Sequence, residues 1–353
     1  MQGKHEALRG RGAVSNPPNR FTPLWHVRDP DWTDEEDPAP TTRFLTDTSR
    51  SIIASNDSPD VGFNSSINPY RGCEHGCIYC YARPTHEYLG FSAGLDFETQ
   101  ILVKPAAPAL LRRELASARW QPQVVAMSGV TDCYQPVERR LQLTRQCLEV
   151  FLEFRNPVAI VTKNALVMRD IDLLAELAQH QAVVVYLSVT TLDGHLARLL
   201  EPRASQPARR LAALAALAQA GIPVGVLVAP VIPGLTDHEM PAIIAAAARL
   251  GARDAGYVPL RLPHAVGDLF DAWLTQHFPT KKAKILHRLH ALRGGKLNDP
   301  RFGTRMQGEG IFAEQIAALF SLACRRAGLV RRQVPLSTAA FRRPAGPQLS
   351  LFP

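Results

Sequence analysis

The sequence predicts an α/β protein with a parallel sheet covered by helices, and three observations carry that expectation. Short apolar runs recur along the chain, helix-like segments separate them, and the runs show no polar face. Strands apolar on both faces are strands buried on both faces, which is how a parallel sheet under helices reads. A doubly wound sheet and a (β/α) barrel both satisfy the pattern. In either, chemistry collects at the C-terminal ends of the strands.

Residues 1–60 are rich in Pro, Asp, Arg and Ser without sustained periodicity and read as a mostly disordered, unpacked leader. The strand-like runs are 124–128, 158–162, 183–189, 223–229 and, more weakly, 255–260, each bounded by Gly, Pro, Thr or Asp. Helical patterns cover 137–154, 168–179, 208–220 and 237–250. The third is almost wholly Ala and Leu with two arginines at its start, and Gly221 stops it as a residue just past a helix should. Thr236 and Asp237 suit the cap of the fourth. Beyond Leu260 the alternation ceases. Helical patterns at 267–278, 281–293 and 312–327 enclose a basic loop, 293–305. From residue 330 the chain turns Arg- and Pro-rich and reads as disordered.

The chain has 353 residues, of which 46% are hydrophobic and 20% charged, ordinary for a globular protein. No apolar run approaches the roughly 18 residues of a membrane span. Residues 1–12 are polar and lack the apolar centre of a secretory signal, so the expected location is cytoplasmic with no membrane partner. A net charge of +8 is compatible with a nucleic-acid partner without specifying one.

Six cysteines are too few and too unevenly spread for a disulfide framework. Three fall in one segment, Asn68-Pro-Tyr-Arg-Gly-Cys73-Glu-His-Gly-Cys77-Ile-Tyr-Cys80-Tyr-Ala, while Cys133, Cys147 and Cys324 stand apart. Three thiolates on one Gly-containing loop select an iron–sulfur cluster or zinc. Structural zinc needs four ligands. No second cysteine pair exists, and His75 and His86 are the candidates for a fourth. A cubane held by Cys73, Cys77 and Cys80 instead keeps one iron open. A zinc-containing nucleic-acid-binding protein without catalysis is the alternative reading.

C-x3-C-x-aromatic-C on a loop after the first strand resembles the signature of radical S-adenosylmethionine enzymes. The wider segment, with Val130-Thr-Asp-Cys-Tyr-Gln-Pro-Val-Glu138, Val161-Thr-Lys-Asn164 and Glu201-Pro-Arg203, is similar to the subfamily grouped with spore photoproduct lyase, often labelled a DNA repair photolyase family. The likeness runs over roughly residues 60–260, weakening towards 330. It implies a partial (β/α)6 TIM-type barrel at 61–262, after the leader, with a helical extension at 263–330 and a disordered tail at 331–353.

The resemblance also implies a [4Fe–4S] cluster, S-adenosylmethionine and a reduced flavodoxin- or ferredoxin-type electron donor. The cluster then cleaves S-adenosylmethionine to a 5′-deoxyadenosyl radical that abstracts hydrogen from a substrate. A nucleic-acid lesion or base is one candidate substrate. By position along the strand ends, Thr131 and Asp132 match the segment near the methionine amino group, with a helix cap the competing role for Asp132. Lys163 matches a contact to the methionine carboxylate, and Ser188 one to ribose or carboxylate. Glu201 and Arg203 lie on the next loop, and Val228 and Ala229 lie where the adenine rests. One departure stands out. Val130 occupies the place of the hydrogen-donating cysteine of spore photoproduct lyases, which argues against thymine-dimer repair by the same route. Finally, Gln348, Leu349, Ser350, Leu351 and Phe352 resemble the pentapeptide by which bacterial polymerases and repair proteins dock on the replication sliding clamp.

Overall fold

The computed structural model describes residues 8–22, 41–329 and 334–344. Its strands in chain order are β1 (Arg43–Thr46), β2 (Ile53–Ser55), β3 (Ser65–Ile67), β4 (Tyr70–Arg71), β5 (Gln100–Val103), β6 (Val125–Met127), β7 (Val158–Thr162), β8 (Val183–Ser188), β9 (Val224–Val231) and β10 (Asp254–Pro259). The main sheet runs β10-β9-β8-β7-β6-β3-β2. Strands β3, β6, β7, β8, β9 and β10 are parallel, and β2 adds an antiparallel edge. This is the open barrel of six parallel strands, with helices outside. A smaller sheet, β1-β5-β4, flanks the cysteine segment.

The apolar runs form the strands because both their faces are covered. Val183, Val185 and Leu187 of β8 are wholly buried, as are Val224, Val226 and Val228 of β9. From outside, helix Leu143–Phe154 contributes Leu148, Phe151 and Phe154 to the same core, and helix Pro207–Gln219 contributes Leu214 and Leu217.

Several elements differ from the pattern, each for a local reason. The helix expected over 137–154 breaks into Glu138–Leu141 and Leu143–Phe154, with Gln142 left-handed at φ 53°. The buried Glu138 carboxylate accepts the Thr144 N–H at 3.1 Å and so caps the second piece. The patterns at 168–179 and 237–250 begin as 3-10 turns before becoming α-helices Ile171–Gln179 and Met240–Arg249. In the first, the Asn164 side chain accepts the Leu166 N–H. Helices Val266–His277, Pro279–Leu292 and Gly310–Arg326 come after β10. The last belongs to the main core through Ile316 and Phe320, whose ring lies 4.6 Å from Tyr257 of β10.

The expectation of an unpacked leader does not hold for residues 8–22 and 41–60. Strand β1 pairs with β5, β2 pairs with β3, and the Glu114 carboxylate accepts the N–H groups of Ile52 and Ile53. Similarly, 334–344 departs from the expected disordered tail. The Ser337 and Arg342 N–H groups donate to the carbonyls of Gln181 and Phe154, at the N-terminal ends of the strands.

Phe151 is wholly buried in the main core. Phe151→Ala therefore lowers stability by about 3–5 kcal/mol. The check is a shifted midpoint in chemical denaturation with an unchanged m value.

Candidate active site

The cysteine loop comes directly after β3 and β4. Cys73 and Cys77 are buried and Cys80 half-buried. Two left-handed glycines shape the loop: a Cβ on Gly72 would lie 2.9 Å from the His86 ring, and one on Gly76 would lie 2.8 Å from the Glu98 carboxylate. The loop is held from below by a wholly buried Arg83. Its guanidinium donates to the carbonyls of Gly76, Cys77, Ala93 and Gly94, and to the Glu98 carboxylate at 2.5 Å. Glu98 in turn accepts the N–H groups of Gly12 and Ala13 at 3.0 and 2.9 Å. Residues 11–13 thus cross directly over the loop, so close that a Cβ on Gly12 would overlap the Gly76 carbonyl.

The donor set suits a cluster. Burial pushes the Cys77 and Cys80 thiols up, Cys80 to about 11, and the neighbouring Cys73 pushes both further. Thiols so close in an apolar site are stabilised as thiolates only by a bound cation. Of the two candidates for a fourth zinc ligand, His75 has both ring nitrogens engaged, while His86 keeps Nδ1 buried without a hydrogen-bond partner among the described residues. His75 holds Asp132 through Nδ1 at 3.3 Å and Asn164 through Nε2 at 3.1 Å. His86 meets the Gln100 carbonyl through Nε2 at 2.8 Å, with its ring against Phe91 and Phe97. Among the described residues, no three His, Cys, Asp or Glu side chains close on a single-ion position.

Beside the loop, at the ends of β7, β8 and β9, lies a polar node. Lys163 Nζ donates to Ser188 Oγ at 2.7 Å, the Ala229 carbonyl at 2.8 Å and Thr190 Oγ1 at 3.3 Å. It lies 3.4 Å from the Glu201 carboxylate and 5.8 Å from the Tyr79 ring centre. Glu201 is buried and bound by Arg210, by the Tyr79 hydroxyl and by Thr190. Burial alone would raise its carboxyl. Arg210 and then Lys163 outweigh burial and hold it far below the usual carboxylate range. Tyr79 thereby fastens the cysteine loop to the barrel.

The structure brings Lys163, Ser188, Glu201 and Ala229 together. Val228 faces the core with no exposed surface. Thr131, Asp132 and Arg203 stand elsewhere and brace the loop. Thr131 donates to the Gly72 carbonyl at 2.6 Å. Asp132 accepts from the Lys163 N–H and the Thr162 hydroxyl, each at 2.8 Å, and pairs with His75. Burial opposes both charges of that pair, yet the attraction lowers the Asp132 carboxyl and raises His75 to about 10. Arg203 bridges to Glu74 at 3.1 Å. Sequence reasoning did not mark Arg83, Glu98, Thr190 or Arg210. The one signal was the arginine pair opening an otherwise Ala/Leu helix, of which Arg210 turns inward. Cys133 is wholly buried in the main core, while half-buried Val130 packs beside the cysteine loop.

A parallel open barrel with three thiols on the loop after its first strand defines an iron–sulfur radical-chemistry scaffold, and the comparisons agree. The radical SAM superfamily model matches residues 67–247, just over half of the chain, and the chain belongs to that superfamily. The superfamily uses a [4Fe–4S] cluster and S-adenosylmethionine. Among relatives, an uncharacterised protein of Mycobacterium tuberculosis is 39% identical over 219 residues, 62% of this chain and 64% of that protein. An uncharacterised protein of Methanocaldococcus jannaschii is 31% identical over 173 residues, 49% of this chain and 62% of that one. The chain thus spans less than two thirds of either relative. Among solved structures, a point mutant of spore photoproduct lyase superposes with a TM-score of 0.58 at 17% identity, over 80% of this chain and 79% of that one. The same enzyme complexed with dinucleoside spore photoproduct gives 0.58 at 16% identity, over 80% and 79%. At such identity the likeness is one of fold.

Arg83→Leu leaves the buried Glu98 carboxylate without its cation. The expected result is a loss of about 3–5 kcal/mol in stability, together with less iron per purified chain. Denaturation and iron analysis check the two effects.

Proposed function

We propose that this chain is a radical SAM enzyme that binds a [4Fe–4S] cluster through Cys73, Cys77 and Cys80 and S-adenosylmethionine at the ends of β7, β8 and β9. The observation that carries the proposal is the node on which Tyr79 seats the thiol loop. Glu201 contributes one negative charge, while Arg210 and Lys163 contribute two positive ones. The node therefore holds one surplus positive charge, on the lysine nearest the mouth, where a carboxylate is the matching partner. Lys163 and Ser188 orient that carboxylate, and the backbone at Ala229 offers a surface to the adenine, with buried Val228 behind it. Thr131, Asp132 and Arg203 keep the loop in register. When bound, the cluster supplies the electron that cleaves S-adenosylmethionine to the 5′-deoxyadenosyl radical for hydrogen abstraction.

The zinc alternative would have to draw on His86 Nδ1, since both ring nitrogens of His75 are engaged. The proposed location is cytoplasmic. Among the described residues no helix is long and apolar enough to cross a membrane. The proposed electron donor is a reduced flavodoxin or ferredoxin type. Nucleic acid is the proposed substrate class, and the dinucleoside lesion bound by spore photoproduct lyase is the supporting parallel. A sliding-clamp partner, through Gln348, Leu349, Ser350, Leu351 and Phe352, is also proposed. That peptide lies outside the described residues.

Cys73→Ala, Cys77→Ala and Cys80→Ala are each expected to lose the cluster, whereas Cys133→Ala, Cys147→Ala and Cys324→Ala keep it. Iron content and visible absorption after anaerobic reconstitution decide. Full iron in any of the first three sinks the ligand assignment, and a colourless zinc-loaded chain sinks the reading.

Lys163→Ala is expected to keep its iron while binding S-adenosylmethionine at least tenfold more weakly, the loss of a charge-assisted contact worth about 1.5–3 kcal/mol. Calorimetric titration is the check, and an unchanged affinity removes Lys163 from the cofactor site. For the clamp, full-length chain is expected to be retained on immobilised sliding clamp, and a Leu351→Ala, Phe352→Ala variant is not. Equal behaviour of the two chains denies the tail that role.

A further inference from the structure

The barrel is open between β3 and β10, which do not pair. At the top of this seam, Tyr81 comes directly after Cys80 on the cysteine loop. Its hydroxyl donates to the Gly129 carbonyl, beyond β6, at 2.5 Å. The ring is 47% exposed, and the guanidinium of Arg261, just past β10, lies 4.8 Å from its centre. Among the described residues Arg261 makes no hydrogen bond and no ion pair.

The charges around it do not compensate. Arg293 is buried and donates only to carbonyls, those of Pro259, Leu260, Thr304 and Arg305. The two nearby carboxylates are already taken. Asp60 is bound by Arg305 at 2.5 Å and by the Gly303 N–H at 2.7 Å, and Asp299 is bound by Arg301 at 2.8 Å. Burial lowers the pKa of both Arg261 and Arg293, outweighing the attraction of Tyr81 and Asp60 for the first and of Asp299 for the second. Arg305 and Arg261, respectively, add to the lowering. Two desolvated cations without an anion are costly, and a bound anion relieves that cost. Beside them Phe302 is 58% exposed, with Arg305 4.5 Å from its ring centre. Exposed rings beside an arginine without a counter-ion take a flat base with its phosphate. A bare carboxylate would use the cations and leave the rings idle.

We propose that Arg261, backed by Arg293, binds a phosphate group of the substrate, with Tyr81 and Phe302 as faces for the attached base. This rests on the reading of the barrel mouth as a radical SAM site. It adds the residue that selects the substrate there.

The test compares reconstituted full-length chain with Arg261→Gln and with Arg119→Gln, an exposed control that removes the same charge away from these residues. Thymidine monophosphate, thymidine and a short single-stranded oligonucleotide are the probes. Iron content and S-adenosylmethionine affinity are measured in the same preparations, so failure of the radical SAM reading appears there and not in the probe titrations. The expected result has four parts. The unsubstituted chain prefers the monophosphate to the nucleoside. Arg261→Gln weakens the phosphorylated probes at least tenfold and lowers the salt slope for the oligonucleotide by about one. Arg119→Gln changes either by less than twofold. The melting temperature of Arg261→Gln is unchanged or higher, because a charge without a partner has been removed. Monophosphate bound as tightly as oligonucleotide assigns the site to a small phosphorylated molecule, and tighter oligonucleotide assigns it to a strand. The proposal is overturned by no preference for phosphate, by equal losses in both variants, or by a loss confined to S-adenosylmethionine.

Discussion

Glu201 is a carboxylate with no access to water, and an isolated charge in that position would cost several kcal/mol. It is tolerated because Arg210, Lys163, Thr190 and Tyr79 converge on it from four segments of the chain. Each partner has a further task. Arg210 also donates to the carbonyls of Ser188 and Ser205, tying helix Pro207–Gln219 to the end of β8. Lys163 joins the ends of β7, β8 and β9. Tyr79 comes from the cysteine loop, so the loop takes its place in the barrel through this acid. A polar network in a low-dielectric site is stiff only when every member is satisfied. Here every member has its partners, and the node as a whole keeps one surplus positive charge, Lys163 and Arg210 against Glu201.

A second buried acid does for the outer side of the loop what Glu201 does for the inner. Glu98 and Arg83 form an ion pair in which neither side chain is exposed. The remaining capacity of Glu98 goes to two backbone N–H groups about 85 residues earlier in the chain. The cysteine loop is therefore held by two ion pairs, one in the barrel and one, Arg83 with Glu98, that also anchors the segment crossing over it. That enclosure keeps water from the three thiols proposed to hold the cluster.

How much of this was legible in the sequence depends on how far each signal reaches. The thiol spacing is local, and the strands β7, β8 and β9 announce themselves because cover on both faces leaves them almost wholly apolar. Strand β10, with Asp254 and three partly exposed residues, reads more weakly. Lys163, Ser188 and Glu201 could be placed near one another by counting strand ends. Short elements with distant partners were illegible. Ser65–Ile67 is the first barrel strand yet carries two serines, and β1 gains its strand character only by pairing with residues more than fifty positions away. Thr131 and Asp132 were ambiguous for a related reason. Polar residues at a strand end suit either a ligand or the loop beside it, and only the fold reveals that Gly72 and His75 lie within reach. Arg83 and Glu98 carry no pattern at all, since a buried ion pair looks like two surface residues in a sequence.

The position held by Val130 bears on the fate of the substrate radical once hydrogen has been abstracted. A thiol that returns hydrogen to such a radical must stand at the surface of the substrate space. Val130 has no such group, and its N–H is fixed by Asn68 at 3.1 Å. Cys133 comes next along the chain but lies behind the strand end, wholly buried, and its N–H is held by Ser128 at 2.9 Å. Burial pushes that thiol up, with Asp132 adding to the effect. Cys147 and Cys324 are buried in the same main core. Apart from the three cysteines of the loop, every thiol of the chain thus faces away from the barrel mouth. In the proposed reaction the abstracted hydrogen then has two sources of return, 5′-deoxyadenosine or a donor brought by the substrate. Tyr81, whose hydroxyl is already engaged by Gly129, serves in this arrangement as a surface to pack against.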